Sequence, residues 1–141
     1  MGDPAGIGPE IIVKAFLHRR ELLSQIVVAG DTHTLSRASR LVGGESAPLM
    51  VAEISDLADV TAVPPDCMAV VQACRVAQPV EFGHVNATAG RAAAECIAWA
   101  AGAALQGRAR ALVTAPIHKE ALAAAGVEHP GHTEMLQALS A

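Results

Sequence analysis

The chain is poor in aromatic residues: its 141 residues include two Phe, one Trp and no Tyr. Proteins that bind single-stranded nucleic acid usually stack bases on aromatic side chains along a basic surface, and here the net charge is −4. Long apolar runs are missing too, because no 18-residue stretch lacks both charge and glycine. No charged segment precedes an apolar one at the start. We therefore expect no nucleic-acid partner, no membrane association and no secretion signal.

Cysteine is also scarce, and its spacing argues against the usual cysteine-based sites. Cys67, Cys74 and Cys96 are odd in number and include no Cys-x-x-Cys pair. A disulfide framework or a structural zinc site is therefore not expected, and the pattern indicates buried free thiols in a reducing cytoplasm. The length, with 52% hydrophobic residues, suits one domain of ordinary size with a real core.

Strand and helix patterns alternate along the chain. Compact β-rich runs predict strands at 25–29, 49–54 and 68–73. Helices are predicted after Pro9, after Asp31 and, in an Ala-rich stretch capped by Asn86 or Thr88, up to Leu105. Asp31 could bind a ribose hydroxyl, but the strong preference of Asp for helix starts favours capping. The alternation predicts an α/β fold with a mainly parallel sheet and flanking helices.

The first nine residues form a glycine-rich segment that opens a helix. Its three glycines permit positive φ and close backbone approach, and Pro9 suits the first helical turn. Such a loop can receive an anion, but a plain strand-to-helix turn explains it equally well, because the Gly-x-Gly-x-x-Gly pattern is not matched. A strand normally precedes such a loop. We therefore interpret Met1 as an internal residue, or as a start that has lost the first strand.

A second polar segment, Thr114 to Lys119, follows an apolar run at 111–113 that we expect to be a short buried strand. A helix is predicted to begin near His118 or Lys119 and to end at Gly126. Open α/β sheets bind ligands where a strand gives way to a loop and a helix. The imidazole of His118 and the ammonium group of Lys119 therefore mark a possible substrate or anion loop.

A third segment runs from Pro130 to Glu134, where Pro-Gly forces a bend. From the residues alone, a ligand-binding role for His132 is as well supported as a structural one, and Thr133 could instead cap the last helix. His118, His129 and His132 are the clustered candidates for metal ligands. The bend spoils their alignment and no cysteine lies close in sequence, so we expect no complete metal site within the chain.

The three segments, Met1 to Glu10, Thr114 to Lys119 and Pro130 to Glu134, together resemble the 4-hydroxythreonine-4-phosphate dehydrogenase (PdxA) family of the pyridoxal phosphate pathway. The resemblance implies a two-domain α/β subunit similar to isocitrate and isopropylmalate dehydrogenases, with its active site in the cleft and at a homodimer interface. It implies NAD or NADP, and a divalent metal (zinc, magnesium or cobalt) held by histidines downstream of this chain. His132 and Thr133 match the family's substrate-binding pair.

The resemblance also implies a reaction and a fragment. Residues 1–141 would be a partial N-terminal α/β region without the first strand and the remainder of the enzyme. The reaction would be metal-assisted oxidation of 4-phosphohydroxy-L-threonine by NAD(P), with decarboxylation. The alternatives are a 4-phospho-D-threonate or 4-phospho-D-erythronate dehydrogenase of the same family, or a non-catalytic ligand-binding module. An acyl- or phosphate-transfer enzyme is disfavoured, since no Gly-x-Ser-x-Gly elbow is present. We expect a cytoplasmic homodimer for the full-length parent and no activity for this chain alone.

Overall fold

A computed structural model describes residues 1–44 and 48–141, and within them the predicted parallel sheet with flanking helices is confirmed. The strands are β1 (Val28–Gly30), β2 (Met50–Ile54) and β3 (Cys67–Gln72). β3 lies in the middle of the sheet and pairs in parallel with both others, so that Val70 has Val28 on one side and Glu53 on the other. The polar residues that follow the strands therefore collect at one edge of the sheet.

Five α-helices surround or extend this sheet within the described residues. They are α1 (Gly8–His18), α2 (Thr32–Gly43), α3 (Ala87–Leu105), α4 (Lys119–Ala124) and α5 (His132–Ser140), with 3-10 turns at Arg20–Ser24 and Leu57–Ala62. Two predicted caps are confirmed. The carboxylate of Asp31 accepts from the Thr34 N–H at 2.8 Å, and the side-chain oxygen of Asn86 accepts from the Thr88 N–H at 2.7 Å. Local polar side chains thus fix where α2 and α3 begin.

The core lies on both faces of the sheet. On one face, α1, α2 and α3 contribute to a cluster that contains the fully buried Val13, Leu35 and Met68. On the other face, Ile54 and Val71 pack with the 3-10 turn that follows β2 and with Trp99 of α3. None of the helices in the described ranges is both long enough and apolar enough to span a membrane.

The cysteines are free thiols, as predicted. Cys74 and Cys96 are buried and their sulfur atoms lie 3.4 Å apart, whereas Cys67 is only half-buried. Their mutual hydrogen bond and burial raise the pKa of Cys74 well above its usual range. At least one thiol of the buried pair is therefore protonated at neutral pH.

The apolar run at 111–113 does not form the expected strand, and this prediction was wrong. The segment has no regular secondary structure and belongs to neither edge of the described sheet, and Val113 is 89% exposed. A strand is stabilised by ladder hydrogen bonds and by burial of a face. In residues 1–44 and 48–141 this run has no neighbouring strand to supply either, so apolar composition alone does not make it a strand.

Candidate functional site

The glycine-rich loop at the start of the chain packs directly against the segment that contains Pro116. The backbone N–H of Asp3 donates to the Pro116 carbonyl at 3.0 Å. Gly2 has a φ of 78°, and a Cβ there would lie 2.5 Å from the Pro116 oxygen. At Gly8 a Cβ would lie 2.6 Å from a carbonyl oxygen of the same loop. These glycines therefore allow two backbone segments to approach closely, which explains them without a bound anion.

The carboxylate of Asp3 is buried within this loop and shapes it. It accepts from the backbone N–H of Ala5 at 2.8 Å, while the Asp3 carbonyl accepts from the Gly6 N–H at 3.1 Å. Short side-chain-to-backbone bonds of this kind stabilise a tight turn. The loop thus presents a fixed backbone surface to the second polar segment.

Helix α4 is held in place by an unusually close contact with α3. A Cβ at Gly90 would lie 1.9 Å from the carbonyl oxygen of Ala121, so the two helix backbones meet where a side chain has no room. Leu122 is fully buried in the same region. This contact fixes the start of α4, where Lys119 is the first helical residue and His118 is the N-cap residue, as the sequence predicted. Both of these side chains are exposed.

Helix α5 begins two residues earlier than a Thr133 cap requires. Gly131 is the N-cap residue, and its carbonyl accepts from the Met135 N–H at 3.1 Å. Thr133 is therefore an exposed second residue of the helix, and of its two possible roles the cap is not observed. Its hydroxyl is not used as a cap, because the bend has already placed Gly131 at the helix start. Glu134 lies in the first turn, as expected.

His132 is half-buried against the backbone that contains Ala115. Burial lowers the pKa of His132 below its usual value, although a hydrogen bond with the Ala115 backbone opposes the shift. The imidazole is therefore neutral at pH 7. A neutral imidazole carries one N–H donor and one nitrogen that accepts a hydrogen bond.

The three polar segments thus meet at one surface. The N–H of Asp3 joins the first to the second through the Pro116 carbonyl. The Ala115 backbone of the second is close enough to His132 of the third to influence its pKa. A Cβ at Gly131 would lie 3.8 Å from Lys119 Cε, which brings the lysine stem to the same bend. The surface therefore combines a neutral imidazole, an ammonium group and a neighbouring threonine hydroxyl, a set suited to a hydroxylated anionic ligand.

The described residues do not form a complete metal centre. Within 1–44 and 48–141 no three His, Cys, Asp or Glu side chains lie together in an arrangement that could hold an ion. His118 and His132 are placed by different helices, and His129 lies in the turn between them. No chemical step is therefore assigned to a metal bound by this chain.

Sequence reasoning missed Gly90, which positions α4 without touching the site. The available signal was a glycine inside an Ala-rich helix, where it costs about 1 kcal/mol relative to alanine and so indicates a packing requirement. Nothing in the local pattern identified Ala121 as its partner, since that contact joins residues far apart along the chain.

Comparison with known proteins agrees with this arrangement. Residues 21–141 match the family model of the pyridoxal phosphate biosynthetic protein PdxA. The chain is 43% identical, over 96% of its length, to a 4-hydroxythreonine-4-phosphate dehydrogenase of Beijerinckia indica, of which it covers 39%. It is 39% identical, over 99% of its length, to a D-threonate 4-phosphate dehydrogenase of Salmonella typhimurium, of which it covers 42%.

Solved structures show the same similarity in three dimensions. A crystal structure of 4-hydroxythreonine-4-phosphate dehydrogenase from Klebsiella pneumoniae is 38% identical and superposes with a TM-score of 0.85, covering 99% of this chain and 41% of that one. The corresponding structure from Burkholderia phymatum is 36% identical with a TM-score of 0.87, covering 99% and 42%. The small parallel sheet and its helices are thus shared with these proteins.

The relatives are named dehydrogenases, so the family that these matches define is a family of oxidoreductases. The chain belongs to the PdxA family, as the resemblance of its three segments predicted. It spans about two fifths of the length of the curated relatives that it matches.

Proposed function

We propose that a protein of the relatives' length containing this chain is a dehydrogenase that oxidises a phosphorylated hydroxy acid with NAD or NADP. The favoured substrate is 4-phosphohydroxy-L-threonine, with decarboxylation of the product, and 4-phospho-D-threonate or 4-phospho-D-erythronate is the alternative. The observation that carries the proposal is the convergence of the three family-like segments around Ala115, Lys119 and His132. The names of the relatives support 4-phosphohydroxy-L-threonine and 4-phospho-D-threonate.

His132 and Thr133 are proposed to hold the hydroxylated part of the substrate. The neutral imidazole of His132 can accept a hydrogen bond from a substrate hydroxyl through its unprotonated ring nitrogen. The exposed hydroxyl of Thr133, one residue further along α5, can donate to a substrate oxygen. Lys119 and His118 at the start of α4 are proposed to face the phosphate or carboxylate. These groups bind and orient the substrate, and the reacting residues are not assigned.

In the proposal, the other parts of the enzyme are not formed by these four residues. A bound nicotinamide cofactor supplies the hydride chemistry. Residues 1–141 are taken as a partial N-terminal region of a two-domain subunit similar to isocitrate and isopropylmalate dehydrogenases, which works as a cytoplasmic homodimer. Metal ligands are expected downstream of this chain. A non-catalytic ligand-binding module is the second candidate, and the incomplete span relative to the relatives favours it for the isolated chain.

The substitution His132→Ala tests the substrate-binding assignment in a protein of the relatives' length. We expect an increase in KM, equivalent to about 1.5–3 kcal/mol of lost binding, because a group that hydrogen-bonds a charged ligand is removed. His33→Ala is the matched control, since His33 is an exposed residue of α2. Unchanged KM and kcat in a folded His132→Ala protein would show that the assignment is wrong.

Cofactor reduction distinguishes the catalytic proposal from the binding module. The longer protein should reduce NAD or NADP when it is given 4-phosphohydroxy-L-threonine or 4-phospho-D-threonate and a divalent metal. The 141-residue chain should bind these acids without turnover under the same conditions. Comparable turnover by the 141-residue chain would overturn its interpretation as a partial enzyme.

A further inference from the structure

The buried thiols of Cys74 and Cys96 come from two different elements of the fold. Cys74 lies two residues after the end of β3, and Cys96 lies in the middle of α3. Their sulfur atoms are 3.4 Å apart, and the two residues are 5% and 2% exposed. Bonded sulfur atoms are about 2.05 Å apart, so a closure of about 1.3 Å separates the two free thiols from a disulfide.

The backbone on both sides of this contact is held by other interactions. The N–H of Ala73 donates to the Gly30 carbonyl at 3.0 Å, and Nε2 of Gln72 donates to the Cys74 carbonyl at 2.9 Å. Cys96 belongs to a helix of 19 residues. A thiol is a weak hydrogen-bond donor and acceptor. The surrounding fold therefore keeps the two sulfur atoms together, and their own hydrogen bond contributes little to this.

We propose that Cys74 and Cys96 form a modification site, a dithiol that a small disulfide such as glutathione disulfide converts reversibly into an intramolecular disulfide. Two protein thiols and one glutathione disulfide give one protein disulfide and two molecules of glutathione. The cysteines are oxidised as their sulfur atoms join, and the S–S bond of the oxidant is reduced. The two thiol protons pass to the two glutathione sulfur atoms. This inference does not depend on the proposed function.

Cys74 is the residue that an oxidant reaches first. The neighbouring Arg75 and residues 77–79 are exposed, so opening of this short segment brings the Cys74 thiol to solvent. Opening also removes the hydrogen bond with Cys96 and the burial, both of which raise the pKa of Cys74. Its thiolate then attacks the oxidant, releases one glutathione and keeps the other as a mixed disulfide. Cys96 displaces that second glutathione when the segment closes.

Cys67 provides an internal comparison. It is half-buried and is the first residue of β3, so it lies at the opposite end of the strand from Cys74. A strand rises about 3.3 Å per residue, which places Cys67 about 16 Å from Gln72 at the other end. The chain has three cysteines, and the other two already face each other. Oxidation of Cys67 in the folded chain should therefore stop at a mixed disulfide with glutathione.

The experiment equilibrates the 141-residue chain with mixtures of reduced and oxidised glutathione, alkylates the remaining thiols and determines the masses of the products. We expect a species that has lost two hydrogen atoms, contains the Cys74–Cys96 disulfide and returns to free thiols with dithiothreitol. In urea that unfolds the chain, the ratio of this disulfide to the dithiol should be lower by about tenfold or more. The reason is that only the folded chain holds the two sulfur atoms together.

Two variants define the order of the steps. Cys67→Ala should form the same disulfide, whereas Cys96→Ala should stop at the glutathione adduct of Cys74. The unmodified chain provides the decisive result, so the test does not depend on the folding of either variant. A glutathione adduct on Cys67 of a chain that circular dichroism shows to be folded, without the Cys74–Cys96 disulfide, overturns the inference. An equal ratio of disulfide to dithiol in the folded chain and in urea overturns it as well.

Discussion

The part of the chain up to the end of α3 and the part after it are built differently. In the first part, large apolar side chains such as Leu35, Met68 and Val70 have no exposed surface. In the second part, the large apolar side chains that are buried within the described residues are Leu122 and Met135. The candidate binding residues all come from this more open part. Their positions therefore depend on a few contacts with the packed part rather than on a core of their own.

Two of these contacts join backbone to backbone. The Asp3 N–H bonds to the Pro116 carbonyl, and Gly90 accommodates the carbonyl of Ala121. Backbone contacts of this kind require small residues and tolerate no added side chain, unlike contacts between flexible side chains. The packed part of the chain therefore fixes the geometry of the site, and the open part provides the side chains that are proposed to bind the substrate.

The largest expected effect is that of Gly90→Ala, which breaks the link between the two parts. An added Cβ would lie 1.9 Å from the Ala121 oxygen, and backbone cannot move aside as a side chain can. We expect a loss of about 3 kcal/mol in the free energy of unfolding, at the upper end of typical overpacking costs. Urea unfolding measures it.

Gly102→Ala provides the control within the same helix. A Cβ at Gly102 meets no atom within 4 Å, so this change should stabilise α3 by up to about 1 kcal/mol through helix propensity. Equal destabilisation by both substitutions would contradict the proposed α3–α4 link.

Asp31→Ala should have the next largest effect, and it acts inside the packed part. The buried carboxylate of Asp31 accepts from the Thr34 N–H at 2.8 Å, from Gln72 Nε2 at 2.7 Å and from the Val76 N–H at 3.3 Å. Losing a helix cap and leaving buried donors unpaired should cost about 2–3 kcal/mol in denaturant unfolding. Asp66→Ala, at an exposed ion pair with Arg20, should cost less than about 1 kcal/mol. A similar cost at both sites would disprove the structural role of Asp31.

As the pH falls, the protein should lose the stability contributed by His132, in the open part, before that contributed by Asp31, in the packed part. Burial lowers the pKa of His132 from its reference value of 6.5, so stability from its neutral form is present above that value and is lost as pH falls through the lowered pKa. For Asp31, burial raises the pKa, but hydrogen bonds led by that from Thr34 outweigh it and lower the pKa from 3.8. Its contribution is therefore lost only in stronger acid.

Unfolding measured across this pH range tests the order of the two losses. His132→Gln should remove the pH dependence that begins below about 6.5, and Asp31→Asn the dependence at more acidic pH. If the free energy of unfolding of His132→Gln still falls with pH below about 6.5 as it does in the unmodified chain, the lowered pKa of His132 has no consequence for stability.

The sequence predicted what local signals determine. The caps Asp31 and Asn86, the strands β2 and β3 and the start of α4 at Lys119 all depend on neighbouring residues, and the structure confirms them. The strand predicted at 25–29 is also present, but it begins three residues later, at Val28. The strand at 111–113 could not be judged in this way, because a strand needs a partner that composition does not reveal.

Contacts between backbone segments far apart in sequence could not be predicted from local patterns, for the same reason. The role of Gly90 depends on a helix about thirty residues further along. The binding roles of His118, Lys119, His132 and Thr133 stay predictions, since proximity alone does not establish them.

The smallest expected effect belongs to Val113→Thr, and it tests the openness of the second part directly. Val113 is 89% exposed, so replacing one methyl group by a hydroxyl should change the free energy of unfolding by no more than about 0.5 kcal/mol. Val70→Thr makes the same chemical change where the side chain is fully buried in β3. There it should cost about 1–3 kcal/mol, because the hydroxyl enters an apolar environment. Equal losses in urea unfolding would mean that Val113 is packed as Val70 is, and the contrast between the two parts would fail.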